Sequence, residues 1–128
     1  MREILFRGKR VDNGLWIEGC LRQYPSGSAK ICDKEMQHTF KIDPATVGQY
    51  TGLTDIHGKK IFEGDIVKHY NFDADPEEFS LGVILWNDES CRWERTDSGR
   101  SDRFFIGAVC KYEIIGNIHD NPELIKEG

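Results

Sequence analysis

The order of apolar and polar positions along the first third of the chain predicts short β-strands joined by turns. Two apolar-rich runs, at residues 2–6 and 15–21, flank Asn13-Gly14, a pair that favours the positive φ angles of a tight hairpin. Further runs at Ala29–Cys32 and Thr39–Ile42 predict two more strands. We therefore expect residues 1–48 to form an N-terminal β lobe that opens with a β-hairpin.

Residues 49–128 form a second predicted domain with its own strand pattern. Residues 81–86 are apolar at both alternating positions, which is typical of a central strand covered on both faces. Residues 104–115 give one long strand signal, whereas Arg92 to Arg103 predict an exposed hairpin tip or loop. Residues 71–80 predict an acidic loop with at most one or two helical turns. Because no apolar period near 3.6 persists, the predicted fold class is mainly β, with only short helical turns including one at the C-terminus.

Composition narrows the class of partner. The 128 residues have a formal charge of -5 and a pI near 5.3, which disfavours binding to duplex DNA. The charge is uneven, since residues 1–48 carry eight basic and six acidic residues and residues 49–128 carry nine and sixteen. An anionic partner would therefore use the first lobe. The opening residues have too few apolar positions for a signal peptide or membrane span, so we expect a cytoplasmic protein without a membrane partner.

The cysteines and histidines predict no metal site or cofactor. Four cysteines, Cys20, Cys32, Cys91 and Cys110, are too few and too widely spaced for a disulfide framework, so reduced thiols are expected. Zinc sites usually show paired ligands at short spacing, and a site built from Cys32, His38 and remote partners is a weak alternative. No catalytic, cofactor-binding or metal-ligating residue is predicted.

Two long motifs carry the most specific signal in the chain. The first is Gln49-Tyr50-Thr51-Gly52-Leu53-Thr54-Asp55-Ile56-His57-Gly58-Lys59-Lys60-Ile61-Phe62-Glu63-Gly64-Asp65-Ile66-Val67, and the second runs from Tyr112 to Leu124. Together with the opening residues 2–7, they resemble the YopX family of phage and prophage proteins. The resemblance implies an SH3-like β-barrel in residues 49–128, a bacterial host cell and no established biochemical function.

The residue types in the motifs are explained by the backbone conformation of turns without invoking catalysis. Gly and Asp in Glu63-Gly64-Asp65 suit a turn leading into a strand, and this interpretation outweighs an acid and base pair. No catalytic residue is transferred from the family. The residues that match it, and for which we expect structural roles, are Gln49, Tyr50, Thr51, Gly52, Leu53, Asp55, Gly58, Glu63, Gly64, Asp65, Ile66, Tyr112, Gly116, Asn117, Asn121 and Pro122.

Three functional hypotheses follow. The leading one is a non-enzymatic accessory protein that acts as a protein-interaction or assembly module, with a second copy of itself as one candidate partner. The alternative is single-stranded nucleic-acid binding through Trp16, Tyr24 and Arg22 in the first lobe, since aromatic rings beside cations can stack bases. The third is an enzyme whose site gathers the carboxylates of Glu63, Asp65 and Glu113.

The aromatic residues also have a packing interpretation. Aromatic side chains dominate small cores, so we expect Trp86 and Tyr50 to fill the core and Trp93 to cover a hairpin.

Overall fold

The computed structural model describes residues 3–33, 35–70, 79–97, 100–105 and 111–124. These residues are mainly β, with two short 3-10 helices at Pro44–Thr46 and Pro122–Leu124 and no α-helix in the described ranges. The strands are β1 Phe6–Lys9, β2 Trp16–Gln23, β3 Ala29–Cys32, β4 Thr39–Ile42, β5 Gly48–Thr54, β6 Lys60–Phe62, β7 Asp65–Tyr70, β8 Phe79–Asn87, β9 Arg92–Asp97, β10 Arg100–Phe105 and β11 Tyr112–Asn117. The prediction of a mainly β fold is confirmed.

The chain divides into two compact units, Met1–Gly52 and Leu53–Gly128. The antiparallel strands of the first unit follow the order β4-β3-β2-β1-β5, and β5 continues past Gly52 to lie beside β6. An opening hairpin of β1 and β2 is confirmed, with Gly14 at φ 71° in the turn. Its first strand, however, spans Phe6–Lys9 instead of the predicted residues 2–6. The predicted strands Ala29–Cys32 and Thr39–Ile42 have the same bounds in the structure.

The strands of the first unit curl so that the end of β1 meets the end of β4. Arg10 and Ile42 form a single β-bridge, and on either side of it the Val11 N–H donates to the Lys41 carbonyl at 3.0 Å and the Asp43 N–H to the Lys9 carbonyl at 2.9 Å. The enclosed face carries the core, made of buried Ala29, Ile31 and Ile42 and the half-buried Phe6, Ile17, Leu21 and Val47. Alternation along the strands therefore leaves the opposite face for polar side chains.

The second unit contains a five-stranded antiparallel sheet in the order β10-β9-β8-β7-β11. Strand β8 is its middle strand, which confirms the predicted central strand at residues 81–86. Its core consists of buried Ile61, Val67, Ile84 and Tyr112, with Leu53, Trp93 and Ile114 packed against them. The opposite face is also covered, because Ile66 and Glu94 are fully buried there.

Three sequence predictions for the second unit are wrong. Residues 104–115 are not one strand, since β10 ends at Phe105 and β11 begins at Tyr112 on the opposite edge of the sheet. The stretch from Arg92 to Arg103 does contain a hairpin, formed by the paired strands β9 and β10, but it is not exposed throughout, because Glu94 and Arg95 are buried. Trp86 does not fill the core, because it is 39% exposed near the end of β8.

The first and third errors share a cause. The apolar content of a segment indicates whether it can be buried. It does not determine where a strand ends, as in residues 104–115, or which residues near its end are exposed, as Trp86 is. The second error arose because cross-strand partners can shelter charged side chains that look solvent-exposed in sequence.

Other predictions differ in outcome. The C-terminal helical turn is confirmed as the 3-10 helix Pro122–Leu124. Residues 71–78 of the predicted acidic loop lie outside the described residues, while Phe79 and Ser80 begin β8. Both sheets are open in the ranges that the structure describes, so the SH3-like barrel is not confirmed. No helix in those ranges has the length and apolar character needed to cross a membrane.

Candidate functional site

The first family motif is built around the carboxylate of Asp55, which is 6% exposed. Its Oδ1 accepts hydrogen bonds from the backbone N–H groups of His57 and Lys59, each at 2.9 Å, and its Oδ2 accepts from the Ile114 N–H at 3.1 Å. Burial raises the pKa of Asp55, but the three N–H donors outweigh burial and leave that pKa below its ordinary value of 3.8. Asp55 thus folds the turn between β5 and β6 and ties it to β11.

The second turn of the motif is closed by Asp65. Its Oδ2 accepts a hydrogen bond from the Phe62 N–H at 2.7 Å, and Gly64 between them takes φ 92°, a left-handed conformation that suits glycine. The Gly64 N–H donates to the Ile84 carbonyl at 2.8 Å, and the Gly64 carbonyl accepts from the Ile118 N–H at 2.9 Å. This turn therefore joins β8 to the segment after β11.

The second motif forms a compact turn after β11. The Asn117 side-chain oxygen accepts from the N–H groups of His119 at 3.0 Å and Asp120 at 2.9 Å, and the Asn121 N–H donates to the Asn117 carbonyl at 2.8 Å. A Cβ at Gly116 would lie 2.5 Å from Asn121 Oδ1, so the close approach of this side chain requires glycine. Pro122 then begins the 3-10 helix.

The other motif residues occupy strand, turn and core positions. Gln49 pairs with Phe6, and the Tyr50 N–H donates to the Leu5 carbonyl at 2.8 Å. Tyr50 is half-buried rather than fully inside the core. The remaining positions are buried Thr51, Ile66 and Tyr112, core-packed Leu53, Gly52 and Gly58 at positive φ, and half-buried Glu63 in the turn between β6 and β7.

The structure does not gather the three carboxylates of the enzyme hypothesis. Asp65 pairs with Asn117 and Glu113 with Lys68 on the β7 and β11 ladder. Successive residues of a strand point to opposite faces, so Asp65 and Glu113 project from opposite sides of the sheet. Glu113 Oε2 instead lies at hydrogen-bond distance, 2.9 Å, from His57 Nε2.

Among the described residues, Cys32 and His38 do not belong to a group of three side chains that could hold a metal ion. Cys32 is buried with its Sγ 3.9 Å from Met36 Sδ, while His38 is exposed with its ring 6.2 Å from that of Phe40. Within the described ranges no three His, Cys, Asp or Glu side chains could hold a metal ion. Cys20, Cys32 and Cys91 are free thiols, and Cys110 lies outside those ranges.

A cationic surface lies on the side of the first unit's sheet that faces away from its core. Strand register places Arg22 opposite Lys30 and Lys30 opposite Lys41, so three cations form one row across β2, β3 and β4. All three side chains are exposed, and no ion pair is recorded for them within the described residues. We call this side the outer face, and alternation assigns to it Arg7, Lys9, Trp16, Glu18, Cys20, Arg22, Lys30, Cys32, Thr39 and Lys41.

Aromatic rings lie beside these cations. The Arg7 guanidinium is 4.7 Å from the Trp16 ring centre, and the Lys30 ammonium is 5.6 Å from the Tyr24 ring centre. Tyr24 is 38% exposed. The sequence expectation paired these rings with Arg22, whereas the cations beside them are Arg7 and Lys30. The sequence did not reveal the row either, because only strand register aligns Lys30 and Lys41 with Arg22.

An open cleft of about 500 Å³ adjoins the outer face where β1 meets β4. Lys9 and Lys41 of the outer face line it, together with Arg10 and Asp43. The Arg10 guanidinium bonds the Asp12 carboxylate and lowers the pKa of Asp12, so Arg10 is already neutralised by a neighbour. Lys9 and Lys41 are thus the cations that the outer face and the cleft share.

The second unit exposes a pair of tryptophans. Trp86 on β8 is directly opposite Trp93 on β9, and their rings meet edge to face with centres 5.1 Å apart. Trp93 packs against the core, while Trp86 is near the exposed turn that contains Asp88 and Glu89. The edge-to-face contact with Trp93 holds the exposed Trp86 indole in place, so this indole offers a rigid apolar contact surface.

Comparison with known proteins gives the family and the fold. No curated protein matches the sequence. Among solved structures, the chain is similar to the crystal structure of protein EF1440 from Enterococcus faecalis, with 21% identity and a TM-score of 0.54, over 98% of this chain and 100% of that one. At this identity the likeness concerns the fold alone. The family model of the YopX protein matches residues 5–126, nearly the whole chain, and the protein therefore belongs to the YopX family.

Proposed function

We propose that this protein is a non-enzymatic accessory protein of phage or prophage that acts in the bacterial cytoplasm as a protein-interaction or assembly module. The observation that carries the proposal is the exposed Trp86 supported by Trp93 in the second unit. Tryptophan is enriched among the residues that dominate protein interfaces, and a ring held in one orientation loses little entropy on binding. Neither duplex DNA nor a membrane is part of this proposal.

The charge around Trp86 defines the partner's chemistry. Asp88 and Glu89 are exposed in the adjoining turn, and residues 49–128 carry sixteen acidic against nine basic residues. A complementary partner therefore has an apolar pocket for the indole and a basic rim. A second copy of this chain is a candidate, because its own outer face is basic.

The motif chemistry favours binding over catalysis. The carboxylates of Asp55 and Asp65 accept hydrogen bonds from backbone N–H groups that shape turns. A general acid or base needs a carboxyl group directed at a substrate, with a pKa raised toward neutrality. The pKa of Asp55 is shifted in the opposite direction.

We assign the second unit to an SH3-like barrel within this proposal. The Ile56 N–H donates to the Tyr112 carbonyl at 2.9 Å, so the turn between β5 and β6 lies against the β11 edge of the five-stranded sheet. In a partly open small barrel, a hairpin such as that of β5 and β6 packs against an edge strand of the sheet, here β11. An experimental structure with a continuous ladder around the unit would establish this assignment.

The partner surface is tested by affinity capture from host cells during prophage induction. Wild-type protein, Trp86→Ala and Tyr24→Ala are compared, because Tyr24 in the first unit is 38% exposed and Trp86 is 39% exposed. The proposal expects one protein at fixed stoichiometry with the wild type and Tyr24→Ala, and its loss with Trp86→Ala. A bound protein that all three variants retain equally contradicts the proposed surface.

Self-association is tested separately by sedimentation velocity over a concentration series. If the partner is a second copy, the wild type forms dimers that Trp86→Ala weakens. Ile56→Ala, which removes a 45% exposed apolar side chain of the second unit, should leave them intact. A wild type that stays monomeric at all concentrations eliminates the second copy as partner. If host capture also returns no protein, the whole proposal is overturned.

A further inference from the structure

We propose that the outer face of the first unit binds single-stranded nucleic acid, with phosphates on Arg22, Lys30 and Lys41 and a base stacked on Tyr24. This function is additional to the protein contact of the second unit. It depends on a juxtaposition that strand pairing creates, since Arg22, Lys30 and Lys41 come from three different strands.

The first argument is charge. The outer face carries five cations and one acidic residue, Glu18, although the protein as a whole is acidic. The cations of the row are exposed and form no ion pair among the described residues, so a ligand displaces no acidic side chain from them. A local cationic field attracts a polyanion even when the net charge of the molecule is negative.

The second argument is geometry. Neighbouring strands in a sheet lie about 4.8 Å apart, so the row from Arg22 to Lys41 spans roughly 10 Å. Side chains as long as Lys and Arg can adjust over this distance to follow a flexible phosphate backbone. Lys41 and Lys9 also line the cleft where β1 meets β4, which extends the cationic path past the edge of the row.

The third argument selects single strands over duplexes. Tyr24 is 38% exposed and lies beside Lys30, whose ammonium is 5.6 Å from the ring centre. A protein ring can stack on a base only if that base is not already stacked within a helix, and alternating rings and cations are the usual platform for single strands. A duplex would offer phosphates alone, and residues 49–128, with their excess of acidic residues, would repel it.

The test measures fluorescence anisotropy of labelled oligo(dT) and oligo(U), which separate DNA from RNA, and of a labelled duplex. We expect the wild type to bind a single strand at low salt. Three neutralised phosphates predict that affinity falls about 20-fold between 50 and 200 mM salt. The triple variant R22A/K30A/K41A should bind at least about tenfold more weakly and lose most of this salt dependence.

Matched variants separate the outer face from general electrostatics. Lys59→Ala with Lys111→Ala removes two exposed cations of the second unit and should leave binding unchanged. Tyr24→Ala should weaken binding about fivefold or more, Tyr24→Phe should restore it, and Trp86→Ala should have no effect. Circular dichroism and thermal unfolding establish that each variant is folded.

Several results would overturn the inference. They are no single-strand binding at low salt, duplex binding as tight as single-strand binding, or equal affinity of R22A/K30A/K41A and wild type. Competition by poly-glutamate as effective as competition by unlabelled oligonucleotide would assign the face to an acidic protein instead. None of these outcomes depends on the Trp86 contact.

Discussion

The two units of this protein use charged residues in opposite ways. In the described part of the chain, all four buried charged residues lie in the second unit, namely Asp55, Asp65, Glu94 and Arg95. The described buried polar residues of the first unit are the uncharged Thr46 and Thr51, and five of its cations lie on the outer face. Charged side chains are therefore part of the buried interior in the second unit and part of the exposed surface in the first.

The buried charges of the second unit are held by specific partners. Glu94 accepts from Asn87 Nδ2 at 2.9 Å and from Arg92 Nε at 2.6 Å, and Arg95 Nη2 lies 3.0 Å from His69 Nδ1. A buried charge that loses its partners is strongly destabilising, whereas an exposed charge is solvated by water in either case. The buried charged residues of the second unit should therefore report on folding, whereas substitution of the exposed cations of the first unit should have little effect on stability.

The largest effect is expected in the core of the second unit. Ile84→Ala should lower the free energy of unfolding by roughly 2–5 kcal/mol, because Ile84 is 0% exposed and its removal leaves a cavity. Trp86→Ala, two residues along the same strand, should cost only about 1 kcal/mol, since the half-exposed ring loses mainly its contact with Trp93. Urea denaturation measures both, and equal losses would place Trp86 in the core after all.

The next largest loss of stability is expected when the buried charge of Asp55 is removed. Asp55→Asn should cost roughly 1–3 kcal/mol near neutral pH, because an amide NH₂ would face one of the backbone N–H donors that the carboxylate now satisfies. The measurement is urea denaturation of both proteins. A variant as stable as the wild type at pH 7 would contradict the assignment of Asp55 as the centre of this turn.

The comparison of wild type with Asp55→Asn also predicts how stability depends on pH. The pKa of Asp55 is lower in the folded state than its ordinary value of 3.8, so its stabilising contribution is full above that value. It is lost as pH falls through the lower, folded pKa. The difference in unfolding free energy between wild type and Asp55→Asn should therefore shrink below about pH 4, and a difference that grows with acidification would reverse the assigned sign.

A steric prediction follows at the bulge of β11. Gly116→Ala should cost about 1–3 kcal/mol, because its Cβ would lie 2.5 Å from Asn121 Oδ1. The cost should be smaller in an Asn121→Ala background, where the obstructing side chain is gone. A double-mutant cycle with thermal or urea unfolding measures this coupling, and additive effects would show that the contact does not determine the need for glycine.

The smallest effects on stability are expected on the outer face. Arg22→Ala, Lys30→Ala and Lys41→Ala should each change the unfolding free energy by less than about 0.5 kcal/mol, since these side chains are exposed. In combination, the same three substitutions are expected to weaken single-strand binding at least about tenfold. A loss above about 2 kcal/mol at any one of them would remove the contrast between the units.

Local rules were sufficient for much of the fold. The alternation of Ala29–Cys32 and Thr39–Ile42 and the Asn13-Gly14 turn placed three features of the first unit, because strand period and turn chemistry depend on neighbouring residues. In the same way, the apolar content of residues 81–86 was enough to predict the central strand β8. The motif around Asp55 was enough to indicate the family, which the family model confirms.

Long-range contacts decided what local patterns could not. The Asp55 carboxylate accepts a hydrogen bond from the backbone N–H of Ile114, 59 residues away. The row of Arg22, Lys30 and Lys41 exists only because strand register aligns β2, β3 and β4. The break between β10 and β11 and the exposure of Trp86 likewise depend on where strands end against their neighbours. The sequence determined which segments become strands, because alternation is local; the tertiary structure decided which side chains meet, because register is set by distant partners.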